Sequence, residues 1–193
     1  STIMGTIFVD NLEPQSGTSL TLGASGDTLQ AASGVNNNLG ISEADQWRLT
    51  TDFTNDAQPI ASNLERNDTS FSYIGTGMTQ SSGVFTFPRT GIWLVKYNIS
   101  AIIGGSGGEG KLNPLIEITT DGSSFSTAAD GQESFYSLAT NRGSTEINIM
   151  FDVTNTSTHK VRFTVLVNNT STQANGSSTD NRTYFTFIRL GDT

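Results

Sequence analysis

Residues Ser82 to Ser100 read S-G-V-F-T-F-P-R-T-G-I-W-L-V-K-Y-N-I-S, and the reading of the whole chain starts there. Val84 to Phe87 is short, apolar and rich in strand formers. Pro88-Arg89-Thr90-Gly91 reads as a turn, because proline presets φ and glycine takes a positive φ without steric penalty. From Ile92 the side chains alternate: Trp93, Val95, Tyr97 and Ile99 share one face, while Leu94, Lys96 and Asn98 share the other. The stretch therefore predicts a hairpin whose wide aromatic face needs a second sheet laid over it.

The same two-residue period recurs on both sides. Trp47, Leu49, Thr51 and Phe53 alternate with Arg48, Thr50 and Asp52, as in a half-buried strand. Ile147, Ile149, Phe151 and Val153 alternate with Glu146, Asn148, Met150 and Asp152; Val161, Phe163, Val165 and Val167 alternate with Lys160, Arg162 and Thr164. Ile60 to Glu65, Phe71 to Ile74, Leu115 to Thr119 and Ser134 to Leu138 read as further strands. The closing segment, Thr183 to Leu190, is apolar on both sides, with Phe185 and Phe187 on one and Tyr184, Ile188 and Leu190 on the other. Such a strand is central in a two-sheet core or buried at a subunit contact. No stretch longer than about ten residues carries helical apolar spacing. The expectation is an all-β chain of roughly ten short strands, folded as a sandwich, jelly roll or barrel.

Residues 1–42 differ from the rest. Thr6-Ile7-Phe8-Val9 and Ser19-Leu20-Thr21-Leu22 are brief strand candidates set among turn residues, too few to bury a core alone. They read as an arm that gains structure by pairing with a larger assembly, with Ile7, Phe8, Val9, Leu20 and Leu22 as attachment residues. Residues 43–193 then form the head domain.

A net charge of −8 repels phosphate backbones and anionic membranes, so nucleic acid is not an expected partner. The absence of cysteine excludes disulfides and thiolate metal sites. The longest apolar stretch, Ile92 to Ile103, is broken by Lys96, Asn98 and Ser100, so no membrane span is expected.

The pattern Gly83, Phe85, Pro88, Gly91, Trp93, Val95, with the closing Tyr184-Phe185-Thr186-Phe187-Ile188, resembles the signature of C1q/tumour-necrosis-factor-like jelly rolls over about residues 44–193. That resemblance implies a jelly-roll β-sandwich that assembles as a homotrimer and acts by binding, not as an enzyme, with no cofactor. It makes Phe85, Phe87, Trp93, Tyr97, Phe185 and Phe187 the candidate core of the fold and trimer, with Pro88 and Gly91 at its turn. Three further stretches, Asp45-Gln46-Trp47-Arg48-Leu49-Thr50, Asn63-Leu64-Glu65-Arg66 and Gly75-Thr76-Gly77-Met78-Thr79, are similar to structural proteins of tailed bacteriophages, as is the leader Ile7 to Pro14. This second resemblance implies a virion protein, a capsid decoration or fibre knob held to other virion proteins by its arm.

Catalytic patterns are present only formally. Gly104-Gly105-Ser106-Gly107-Gly108 matches a nucleophile elbow, and Asp121 or Asp130 and then His159 follow in hydrolase order. An elbow needs a helix after the serine, whereas Lys111-Leu112-Asn113-Pro114 leads into a strand. Gly105, Gly107 and Gly110 mimic a dinucleotide fingerprint but lack the helix that would receive the phosphate. His159 has no His or Cys companion for a metal, and the acidic pairs lack the spacing of a calcium loop. Phe71, Tyr73 and Tyr136 are candidates for a platform that stacks on a host surface glycan.

Overall fold

The computed structural model describes Ser16 and residues 40–102, 109–136 and 141–193. The chain divides into two units, Ser1–Asn37 and Asn38–Thr193, and the second is described here by itself. The candidate attachment residues Ile7, Phe8, Val9, Leu20 and Leu22 lie outside the described residues.

The described residues hold strands and no helix. In chain order the strands are β1 (Ala44–Leu49), β2 (Phe53–Thr54), β3 (Leu64–Arg66), β4 (Tyr73–Ile74), β5 (Thr79–Ser81), β6 (Val84–Thr86) and β7 (Gly91–Ile102). They continue with β8 (Glu109–Thr119), β9 (Ser126–Asp130), β10 (Glu133–Tyr136), β11 (Arg142–Val153), β12 (Lys160–Val167), β13 (Gln173–Ala174) and β14 (Tyr184–Gly191). Two antiparallel sheets result. The first runs β11, β7, β14, β1, β3 from edge to edge, with β13, β2 and β4 extending these ranks; the second runs β5, β6, β12, β8, with β9 and β10 along its far edge.

The alternation read in the sequence decides which faces meet. Along β7 every odd residue from Gly91 to Ala101 is buried and every even one is half-exposed. The buried set packs against Phe85, Val161, Phe163 and Val165 of the second sheet. Phe85 is the hub, with the rings of Trp47, Phe163, Phe185 and Phe187 centred 5.6, 5.5, 5.8 and 5.1 Å away. Edge-on and tilted rings at such distances bury large apolar area in favourable geometry.

The expected hairpin is not one. β6 pairs with β5 and β12, while β7 pairs with β11, β13 and β14, so Pro88 to Thr90 carry the chain from one sheet to the other. β6 has three residues and β7 has twelve, and β7's two edges are filled by β11 on one side and by β14 and β13 on the other. Phe87 therefore meets Trp93 across the core, with ring centroids 5.1 Å apart, and does not lie beside it in a sheet. The tight hairpin is one step earlier. Ser82 (φ 50°) and Gly83 (φ 78°) form the two-residue loop between β5 and β6, both with the positive φ that matches strand twist. A Cβ on Gly83 would run into the Ile60 carbonyl.

Other strands differ from expectation as well, and Phe71, expected to open one, lies before β4. β8 starts at Glu109 and takes in Pro114, which sits where its edge partner changes from β10 to β9, so its missing N–H leaves no ladder bond unmade. Gly131 N–H donates to the Pro114 carbonyl at that break. β1 ends at Leu49, short of Thr51, and of the expected strand Ile60 to Glu65 only Leu64 onward is extended in β3. Ile60 instead donates its N–H to Phe163, filling the edge of β12 beyond β6.

Candidate interaction surface

Phe85, Phe87, Trp93, Tyr97, Phe185 and Phe187 are all brought together inside one chain, at 1% exposure or less. Gly91, φ 136°, packs so closely on the Gly191 carbonyl and the Arg189 guanidinium that a side chain would not fit. These residues build the fold. Any contact with another molecule falls to the outer faces, the sheet edges and the loops.

The outer face of the second sheet is closed by its own ion pair. Arg162 reaches Glu117 through two hydrogen bonds of 3.0 and 3.1 Å, Thr164 donates to the same carboxylate at 2.6 Å, and Phe125 covers the guanidinium at 4.3 Å. Burial pushes the Glu117 carboxyl up, but the Arg162 and Thr164 hydrogen bonds and the Arg162 charge outweigh it and hold the group below its ordinary range.

The outer face of the first sheet is open. Register places Met150 opposite Leu94, Leu94 opposite Ile188, Ile188 opposite Ala44, and Ala44 opposite Ile74. Opposed residues of an antiparallel ladder share a face, so these five form one apolar row across the sheet. Met150 is 73% exposed at the β11 edge, and Ile74 43% at the other. Between β1 and β14 the row dips into a cavity of about 240 Å³ lined by Ala44, Asp45, Gln46, Phe71, Thr186 and Ile188. Its polar members are already engaged. Asp45 accepts from Met78 N–H, the Trp47 indole and Arg66; Gln46 donates to Thr186 and accepts from Asn67 and Asn181.

On a chain of net charge −8, the outward positions of β7, β11 and β14 on this face carry balanced charge. Its outward positions on β7 and β11 carry two cations, Lys96 and Arg142, and two anions, Glu146 and Asp152, with Lys96 and Glu146 paired at 3.0 Å. On β14 the outward Tyr184, Thr186 and Ile188 are uncharged.

The three stretches read as motifs converge at the β1 edge. Glu43 accepts from the Thr76 and Gly77 amides, and Asp45 takes both Arg66 and the Met78 amide, so the two carboxylates pin the 75–78 turn. Arg66 lies over the Trp47 and Tyr73 rings at 5.1 and 4.5 Å. Arg48, expected on a polar face in water, is 1% exposed. It is covered by the 65–69 segment and Ser178, with Glu65 at 2.7 Å, Asp68 at 2.8 Å and the Ser178 carbonyl as partners.

The residues that formally matched catalytic patterns are held by their own turns. His159 stacks on Phe151 at 5.6 Å, its ring nitrogens near the Thr154 and Thr158 hydroxyls. Asp121 takes the amides of Ser124 and Ser123 and the Thr119 hydroxyl, which hold its carboxyl well below the usual range. Asp130 ends β9, exposed. Ser106 lies outside the described residues, and among those described no three His, Asp or Glu side chains group as metal ligands.

Two apposed sheets with this strand order, and successive long strands alternating between them, decide the architecture. It is a TNF-like jelly roll. Among solved structures, Eiger TNF from S. frugiperda superposes with a TM-score of 0.56 at 12% identity, over 78% of this chain and 93% of that one. Murine APRIL at pH 5.0 gives 0.55 at 11% identity, over 77% and 98%. At such identities the likeness is one of fold. No protein-family model matches the chain, and neither does any curated protein.

Proposed function

We propose that the protein is a non-enzymatic structural protein of a bacteriophage particle. It works as a homotrimer of jelly-roll heads, displayed as a capsid decoration or fibre knob and anchored to other virion proteins by residues 1–42. The observation that carries the trimer is the apolar row from Ile74 to Met150 across the outer face of the first sheet, flanked by charge-balanced positions on β7, β11 and β14. At about 3.3 Å per residue along β7 from Ile92 to Ile102 and about 4.8 Å per strand across four ranks, that face spans about 600 Å² in projection. Stable interfaces take about 600–1,000 Å² from each partner, so one such face reaches the lower end of that range. The virion setting is supported by the three motif stretches and the leader. Light scattering on the purified chain is expected to give three copies, and a stable monomer at micromolar concentration would remove the trimer. Mass spectrometry of purified virions, with copy number per particle, tests the setting.

A second reading is a receptor-binding module that recognises host surface glycans. It is favoured by Phe71, which lines the cavity at 37% exposure, and by Tyr73, 44% exposed on β4. A glycan array without hits would reject it.

A further inference from the structure

We infer that Met150 of one copy seats in the cavity between Ala44, Phe71 and Ile188 of the next, so that the three copies lock head to tail. The inference rests on the trimer reading and names the contact that would close it. Four observations carry it. Met150 and the cavity lie on the same cross-strand row, the methionine at the β11 edge and the cavity two ranks inward. A side chain at an edge cannot reach its own sheet's hollow across Leu94, but it can reach a neighbour's. A knob and a hollow at different places on one surface form a heterologous contact, which repeats around a closed ring when the rotation allows.

The hollow also suits this occupant. At about 240 Å³ it exceeds the roughly 150 Å³ cavity that accommodates benzene in another protein, leaving room for one unbranched side chain. Methionine adapts to irregular gaps, and its sulfur makes favourable contact with an aromatic ring, here Phe71. The polar groups in the wall, Asp45, Gln46 and Thr186, each hold a hydrogen bond within the chain, which lowers the cost of an apolar guest. Finally, copies of a chain with net charge −8 repel one another, and the repulsion is reduced where the charge-balanced strands β7, β11 and β14 approach, Lys96 and Arg142 balancing Glu146 and Asp152.

The chain contains no cysteine, so introduced thiols report without background. The double variant Phe71→Cys/Met150→Cys changes two exposed positions. Under mild oxidation it is expected to run as covalent trimers on a non-reducing gel, while each single variant runs as one chain. Light scattering before oxidation separates the two levels of the argument. A trimer without cross-links, or one in which Met150→Cys alone joins chains in pairs, overturns the seating and leaves the trimer standing; a monomer overturns both. Met150→Asp, its fold checked by circular dichroism, is expected to weaken assembly roughly a hundredfold by forcing a carboxylate into an apolar hollow. Unchanged assembly in Met150→Asp, or protection of the hollow by a glycan and not by a second copy, also overturns it.

Discussion

Tyr97 sits at the centre of the sandwich with its ring 5.3 Å from Phe163 and 5.1 Å from Phe185, and its buried hydroxyl has no hydrogen-bond partner among the described residues. A buried, unsatisfied hydroxyl costs about 1–3 kcal/mol, whereas phenylalanine fills nearly the same space and leaves nothing unpaired. Against that gain stands the loss of one atom's packing contacts, a few tenths of a kcal/mol at about 0.1–0.2 per contact. Tyr97→Phe is therefore expected to stabilise the domain by about 1 kcal/mol. For a domain of this size that raises the thermal midpoint by about 2–4 °C. Alkali gives a second reading of the same hydroxyl. Burial pushes the Tyr97 phenol far above its ordinary value, so the folded chain keeps the proton while the unfolded chain loses it above about pH 10. The folded state then binds one proton more than the unfolded state, and stability falls by about 1.4 kcal/mol per pH unit beyond that point. Tyr97→Phe removes this slope, so the advantage of the variant should widen as pH rises from 9 to 11 in parallel urea titrations. A variant less stable than the parent by 1 kcal/mol or more at neutral pH would refute the reasoning, because it would mean that the hydroxyl has a partner in the fold.

Glu117→Gln removes a carboxylate held below its ordinary range, and the stability that group supplies is present above its unfolded value, about 4.3, and is lost as pH falls through the folded one. The parent should lose stability between pH 5 and 3 more steeply than Glu117→Gln, as read by denaturant midpoints across that window. Gly83→Ala puts a Cβ against the Ile60 carbonyl at a positive φ and should destabilise the domain by about 2 kcal/mol or more, read as a drop in thermal midpoint. Phe85→Ala empties the ring hub and should destabilise by about 3–5 kcal/mol, while Leu94→Ala, half-exposed on the outer face, should change monomer stability far less. Arg48→Ala leaves the Ser178 carbonyl and the Glu65 and Asp68 carboxylates without the guanidinium that pairs them and should destabilise by about 2 kcal/mol in the same assay.

The buried face of each long strand was legible because a strand's sidedness is written in its own residues. Trp93, Val95, Tyr97 and Ile99 turn inward together because successive side chains of an extended backbone point to opposite sides. Phe185 and Phe187 do the same on β14. Arg48 was misread by that same rule: its side chain does point outward, but the 65–69 segment and Ser178 cover it. Nothing near Arg48 in the chain announces that lid.

Pairing is a different matter. Whether Val84 to Thr86 lies beside β7 or opposite it depends on which strands already occupy the edges of β7, and those are supplied by residues 142–153, 173–174 and 184–191. The apolar row is likewise invisible in any one segment. Each strand contributes a single residue to it, and Ala44, Leu94, Met150 and Ile188 become neighbours only once four distant segments are in register. The amino-acid sequence thus determined an all-β chain with an aromatic interior, since alternation and turn chemistry are local. Tertiary structure alone decided which strands share a sheet, which outward side chains are covered, and where the open hollow lies, because hydrogen-bonded register is settled between segments far apart in the chain.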